Sequence, residues 1–320
     1  MKYGYYPGCS LEKNASAYHD STVAVAEDFD MQFVEVEDWN CCGATEYFSI
    51  NAIPAFALVG RNLAIASHQD IGEQRDLVAP CSACFLNLKK TDHYMGESQD
   101  LNQKVNTALE AGGLHYDPGS VNVRHILDIF VNDIGYEAVA EKVTRPLYDL
   151  NVACYYGCMI TRPAKMDTFD KAEYPNTMDK LMRKLGATVV DFPMKAHCCG
   201  GHMTQITEEV ALELMRQLLK NAADNEADVI VTVCPMCQFN LDAYQSNINK
   251  HFGTDFDIPI LYFTQLMGLA MGHDPKELGV GKEIVSAKAA LEKIGVEPPP
   301  EPKKKRPPKG TLPTPSLEED

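Results

Sequence analysis

Residues 229–237 read Val-Ile-Val-Thr-Val-Cys-Pro-Met-Cys, a β-branched run that ends in a C-x-x-C motif. Five such residues are too few for a helix, and with Asp228 before them and Pro235 after they read as a buried strand. The cysteines then stand just past the strand's carboxyl end, where open α/β sheets collect their ligand sites. Cys234 is placed to open the next helix, whose N-terminal dipole favours a thiolate.

The same arrangement occurs 153 residues earlier, where Asp76–Val78 leads into Cys81-x-x-Cys84. Working outward, the first half carries Cys9, the pair Cys41-Cys42, then Cys81 and Cys84. The second carries Cys158, the pair Cys198-Cys199, then Cys234 and Cys237. Equivalent cysteines are offset by 149, 157, 157, 153 and 153 residues. Flanking residues repeat as well: Tyr5-Tyr6-Pro7-Gly8-Cys9 echoes Tyr155-Tyr156-Gly157-Cys158, and Cys-Cys-Gly recurs at 41–43 and 198–200. A repeat of this length means two homologous domains, assigned to residues 1–148 and 149–296. Cys154 is left outside the sets and reads as a small buried hydrophobe.

Further short apolar runs at 3–6, 33–36, 152–153 and 189–190 are predicted strands. Pro54–Ser67, with Phe56, Val59, Leu63 and Ala66 on one face, and Glu208–Ala222, with Val210, Leu214 and Leu218, are predicted helices. The fold class is therefore α/β, two pseudo-symmetric halves each with a small, mainly parallel sheet and flanking helices. Residues 95–124 read as a long connection or insertion, and 123–132 and 260–271 as the closing helices of the halves. Residues 297–320, with eight prolines and a Lys303–Arg306 basic run, cannot bury a core and are expected to form a disordered tail.

The chain has 320 residues and a net charge of −16, which argues against nucleic acid or an anionic membrane surface as the main partner. Eleven cysteines cannot all pair. No secretory h-region and no apolar run of ~20 residues is visible, so a cytoplasmic, reducing location is expected. There, cysteines serve metal binding or catalysis more often than bridging. No Walker loop, G-x-G-x-x-G, H-E-x-x-H or G-x-S-x-G occurs.

Five cysteines per set exceed the four of a closed zinc site. A vicinal pair does not easily place both sulfurs on one tetrahedral ion, but it reaches two neighbouring ions, which points to a multinuclear cluster of the iron–sulfur type. Gly43, Gly200 and Gly201 would let the backbone approach it. Zinc-stabilised scaffolding without redox chemistry and simple C-x-x-C dithiol chemistry are the alternatives. His197, next to Cys198, reads as a plain hydrogen-bonded histidine ahead of a cluster contact, His202 is uninformative, Trp39 reads as packing beside the site, and Glu35, Glu37 and Asp38 as a solvated strand edge.

Two copies of C-x(31–39)-C-C-x(34–38)-C-x-x-C resemble the cysteine-rich CCG domain. The stretch Tyr156–Pro163, the segment Cys234–Leu241 and Phe263-Thr264-Gln265-Leu266 resemble the B subunit of heterodisulfide reductase. The resemblance covers residues 1 to about 272 and departs at Gly43 and Met159, where methanogen members often have proline and histidine. It implies two noncubane [4Fe–4S] clusters. Cys9, Cys41, Cys42, Cys81 and Cys84 would hold one, and Cys158, Cys198, Cys199, Cys234 and Cys237 the other. It further implies disulfide reduction, with the coenzyme M–coenzyme B heterodisulfide or another low-molecular or protein-bound disulfide as substrate. The implied partners are a ferredoxin-like iron–sulfur C subunit and a flavin-containing A subunit. CCG domains also resemble iron–sulfur electron-transfer subunits of glycolate, lactate and glycerol-3-phosphate oxidoreductases.

Overall fold

Four short runs in each half pair into a parallel sheet. The structure, a computed structural model, describes residues 1–44, 46–162, 166, 169–295 and 297. In the first half β1 (Lys2–Tyr5), β2 (Gln32–Glu35), β3 (Asp76–Ala79) and β4 (Asn122–His125) lie in the order β2-β1-β3-β4. In the second, β5 (Asn151–Tyr155), β6 (Thr188–Val189), β7 (Val229–Thr232) and β8 (Ile260–Tyr262) repeat it as β6-β5-β7-β8. Every residue of β3 and β7 is buried, which fits the apolar runs Leu77–Ala79 and Val229–Val231 within them. Parallel neighbours need crossovers, and helices supply them: α1 (Ser16–Glu27), α2 (Ala52–His68), α3 (Ser82–Glu97), α4 (Gln99–Glu110), α5 (Thr177–Lys184), α6 (Glu208–Asp224) and α7 (Pro235–Ala243), while α8 (Phe263–Met271) follows the last strand.

Three readings are corrected. Asn122–His125 and Ile260–Tyr262, expected to begin closing helices, are edge-side strands paired with β3 and β7. Short buried apolar runs carry no period that separates strand from helix, and the free edge of the neighbouring strand decides. Within 95–124 lies α4, whose Val105 and Leu109 pack on α2, so this stretch is structured rather than a plain connection. The buried stripe of α6 runs through Leu212, Met215, Leu219 and the expected Leu218. Val210, expected inside, is 45% exposed. The expected tail lies outside the described residues except for Glu297.

The halves share one core. A continuous apolar cluster joins Tyr3, Leu63 and Leu77 of the first to Val231, Leu266 and Leu278 of the second. A second cluster lies beneath α6 and α7. At the junction Tyr18 of α1 stacks on Tyr262 with ring centroids 4.3 Å apart. The buried hydroxyls of Ser21 and Thr264 bond at 2.7 Å. This packing turns the carboxyl ends of β3 and β7 toward each other.

Candidate metal centres

Cys9 lies on the helical turn after β1, the pair Cys41-Cys42 in the loop after β2, and Cys81 and Cys84 at the start of α3. Cys158, Cys198-Cys199, Cys234 and Cys237 take the matching places around β5, β6 and α7. Cys81 and Cys234 are the N-cap residues of their helices. All ten cysteines therefore gather at the carboxyl ends of the strands.

The sulfurs pair alike in both halves. Cys9 and Cys41 stand 3.6 Å apart and Cys42 and Cys84 3.4 Å apart. In the second half Cys158 lies near enough to Cys198, and Cys237 to Cys199, for each neighbour to push the thiol up. Across the boundary Cys81 interacts directly with Cys234, so the two sets touch at their C-x-x-C motifs. The C-x-x-C sulfurs with Cys42 and Cys199 are buried, whereas Cys9, Cys41 and Cys198 are exposed. Among the described residues no three His, Cys, Asp or Glu side chains converge as a ready single-ion site.

Hydrogen bonding sorts the thiols. Those received from Cys42 and Cys9, with the Gly43 N–H, hold Cys41 well below the ordinary cysteine range. In the second half Cys158, with the Gly200 N–H at 3.3 Å, lowers Cys198 to about 6. Cys234 receives from Cys237, from Cys81 and from two N–H groups of its own helix start, and is held low. Cys81 donates to Cys234 and is pushed up, so the expected thiolate at both helix starts is realised on one side of the pair.

Glycine makes the close approaches possible. At Gly8 (φ +71°) an added Cβ would lie 2.8 Å from the Cys84 sulfur, and at Gly157 (φ +72°) 3.0 Å from that of Cys237. No L side chain fits either place without displacing a sulfur.

Several supporting residues were not singled out from the sequence. Asn87 donates to the Cys42 and Ala44 carbonyls at 3.1 and 2.5 Å. Asn240 donates to those of Cys199 and Gly201 at 3.2 and 2.8 Å. Tyr6 donates to the Asn40 carbonyl at 2.7 Å, and Tyr155 to that of His197 at 2.8 Å, each fastening the residue before a vicinal pair. Their signal was in the repeat: Y-x-x-C and C-x-x-C-x-x-N occur in both halves. A buried lysine was unforeseen. Lys195, 2% exposed, bonds Asp179 at 2.5 Å, and Asp179 accepts from the Tyr156 hydroxyl at 2.6 Å. The Lys195 carbonyl also accepts the N–H groups of Tyr156 and Gly157, tying the Cys198 loop to the Cys158 loop.

The remaining candidates lie apart or at the edge. Cys154 is buried in β5 among core residues, and burial pushes its thiol up. Trp39 packs edge-on against Tyr6 at 5.5 Å. Glu35, Glu37 and Asp38 are exposed, with Asp38 paired to Arg61. His197 is exposed, and His202 borders the second set. A cavity of about 60 Å³ lined by all five second-set cysteines also touches Ala44, Ser82 and Ala83 of the first half.

The family described as Cysteine-rich domain (CCG) matches this chain twice, at residues 3–89 and 152–242, and each range contains one full set of five. The chain belongs to the cysteine-rich CCG family. It is 31% identical over 286 residues to the 8-methylmenaquinol:fumarate reductase membrane anchor subunit of Wolinella succinogenes, covering 89% of this chain and 98% of that one. It is 29% identical to the B subunit of the ferredoxin/F420H2-dependent CoB–CoM heterodisulfide reductase of Methanosarcina acetivorans, covering 92% and 97%. A solved hypothetical protein from Helicobacter pylori shares the fold, with a TM-score of 0.71 at 14% identity. The match covers 89% of this CCG chain and 52% of that protein, about half its length. Among the described residues no helix is long and apolar enough to cross a membrane.

Proposed function

We propose that this CCG chain is the disulfide-reducing subunit of a heterodisulfide reductase-like complex, with a noncubane [4Fe–4S] cluster in each half. The observation that carries the reading is the pair of five-cysteine sets, matched position for position at the strand ends, with Cys81 and Cys234 close enough to shift each other's thiols. Cys9, Cys41, Cys42, Cys81 and Cys84 would hold the cluster of residues 1–148. Cys158, Cys198, Cys199, Cys234 and Cys237 would hold that of residues 149–296. The donor set fits: five sulfurs on short loops, glycines that leave the sulfurs room, and N–H groups aimed at thiols.

When bound, each cluster supplies single electrons. Reduction of a disulfide takes two, so paired sites beside one cleft match the stoichiometry. The chain's own residues do the positioning. Asn87 and Asn240 fix the vicinal-pair loops, Tyr6 and Tyr155 fasten the residues before them, and the buried C-x-x-C motifs keep water from the inner sulfurs. A ferredoxin-like C subunit would deliver the electrons from a flavin-containing A subunit in the cytoplasm, and the relatives named as reductase subunits support such an assembly. The Wolinella relative favours a second reading, an iron–sulfur subunit that passes electrons onward without reducing a disulfide.

Anaerobic purification followed by iron and sulfide analysis, then assay with a reduced viologen and a panel of disulfides, separates these readings. Iron and sulfide for two clusters with disulfide turnover is expected. Iron without turnover of any disulfide would move the assignment to electron transfer, and zinc without iron would end both. Cys41→Ser and Cys198→Ser should each remove one half's cluster signal and all disulfide reduction. Turnover retained in either variant would defeat the two-site scheme.

A further inference from the structure

Two cavities border the second cysteine set, and no Asp, Glu, Lys or Arg lines either of them among the described residues. This is unusual in a chain of which 23% is charged. Other cavities of the molecule carry charge. The groove over α2 and α4 has Glu37, Asp38 and Arg61, and the pocket below β1 has Lys2, Asp70 and Glu73.

The inner, 60 Å³ cavity, lined by all five second-set cysteines, is the place the cluster would take, with Ala83, Met159 and Met236 around it. The outer, of about 280 Å³, shares Gly201, His202 and Met236 with it. It begins at Ser10, next to Cys9 of the first set, and runs past Asn14 to Thr204, Gln205 and Phe239 of the second half. A molecule lying along it touches both halves.

The lining defines what it accepts. An ionised carboxylate, sulfonate or phosphate would lose water here and meet no Lys or Arg among the described residues, His202 being the one titratable nitrogen of the lining. The net charge of −16 adds a field that disfavours its approach. Neutral hydroxyl or amide ends find partners in Ser10, Asn14, Thr204 and Gln205, while an apolar middle packs on Met236 and Phe239.

We propose that this cleft selects an electrically neutral disulfide over anionic ones. The inference rests on the disulfide-reductase reading and narrows its substrate class. In each turnover two electrons from two reduced viologen molecules and two protons from water cleave the S–S bond and release two thiols.

The test uses the full, anaerobically purified chain and two readouts. Calorimetry compares binding of bis(2-hydroxyethyl) thioether with that of bis(2-carboxyethyl) thioether, neither of which can be reduced. Viologen-driven assays compare the two corresponding disulfides. The neutral compound should bind about tenfold more tightly or better and show a kcat/KM higher by a similar factor, with little dependence on salt. Gln205→Lys, at an exposed position of the lining, should raise binding and turnover of the anionic pair by about tenfold. Equal or tighter binding of the dicarboxylate overturns the proposal. So does failure of the neutral thioether to bind at concentrations that saturate its disulfide's turnover. A neutral preference in binding with no disulfide reduced upholds the cleft's selectivity and sinks the reductase reading instead.

Discussion

Asn87 and Asn240 stand three residues past Cys84 and Cys237, and each donates its side-chain amide to two carbonyls of the facing vicinal-cysteine loop. Both are buried, so truncation takes the side-chain donor from those carbonyls, of which those of Cys42 and Cys199 belong to buried residues. Asn87→Ala and Asn240→Ala are each expected to cost about 1–3 kcal/mol in denaturant unfolding. Iron analysis should show the loss confined to the mutated half. His125 makes a prediction in pH. Its ring is buried at the end of β4 and its Nδ1 accepts the Leu127 N–H, while burial lowers its pKa to about 4. The unfolded chain protonates this histidine below about 6.5, before the folded one does. The stability tied to its neutral form is therefore complete above pH 6.5 and is lost as pH falls toward 4, by up to about 3 kcal/mol. Urea melts across that range should show the decline, and His125→Gln should reduce its slope.

At the scale of elements, α5 is fastened to the second site by charge. Asp179 lies on α5, Lys195 precedes the Cys198 loop, and the Tyr156 hydroxyl completes the contact. The position equivalent to Lys195 in the first half is Asp38, which pairs with Arg61 at the surface, so the halves differ here. Lys195→Met strands a buried carboxylate and is expected to cost about 3–5 kcal/mol. Adding Asp179→Asn removes the unpaired charge and should restore a large part of that loss, which a double-mutant cycle in denaturant would measure. The elements themselves were unevenly legible. β3 and β7 announce themselves because they are buried on both faces, whereas β4 and β8 merge into the helical sequence that follows. Along α6 the expected Leu218 is buried but Val210 is exposed, because Val210 and Leu212 are both apolar and only packing decides which of them turns inward.

The whole molecule behaves as one unit in its packing. The core cluster that runs from Tyr3 through Leu77 to Leu266 crosses the expected 148/149 boundary, and the Tyr18–Tyr262 stack closes it. Separating the halves would expose this surface on both. Residues 1–148 and 149–296 expressed alone are therefore expected to lack cooperative unfolding, whereas the intact chain melts in a single transition. Calorimetry on the three proteins checks this, and two independently folded halves would refute the shared-core account.

The duplication, the α/β class and the two five-cysteine sets are written in local order: short β-branched runs, each followed at fixed distance by cysteine and glycine. The chemistry of a loop after a strand depends on neighbours in sequence, and a repeat of 149–157 residues displays it twice. The contact between Cys81 and Cys234, the burial of Lys195 and the uncharged cleft from Ser10 to Gln205 have no such local sign. Lys195 is buried by residues of its own half, Asp179 and Pro175 among them; the other two arise because α1 and α8 pack the two sheets with their carboxyl ends facing. That brings together residues more than 150 positions apart, whose meeting depends on the relative placement of the halves rather than on any spacing within one of them.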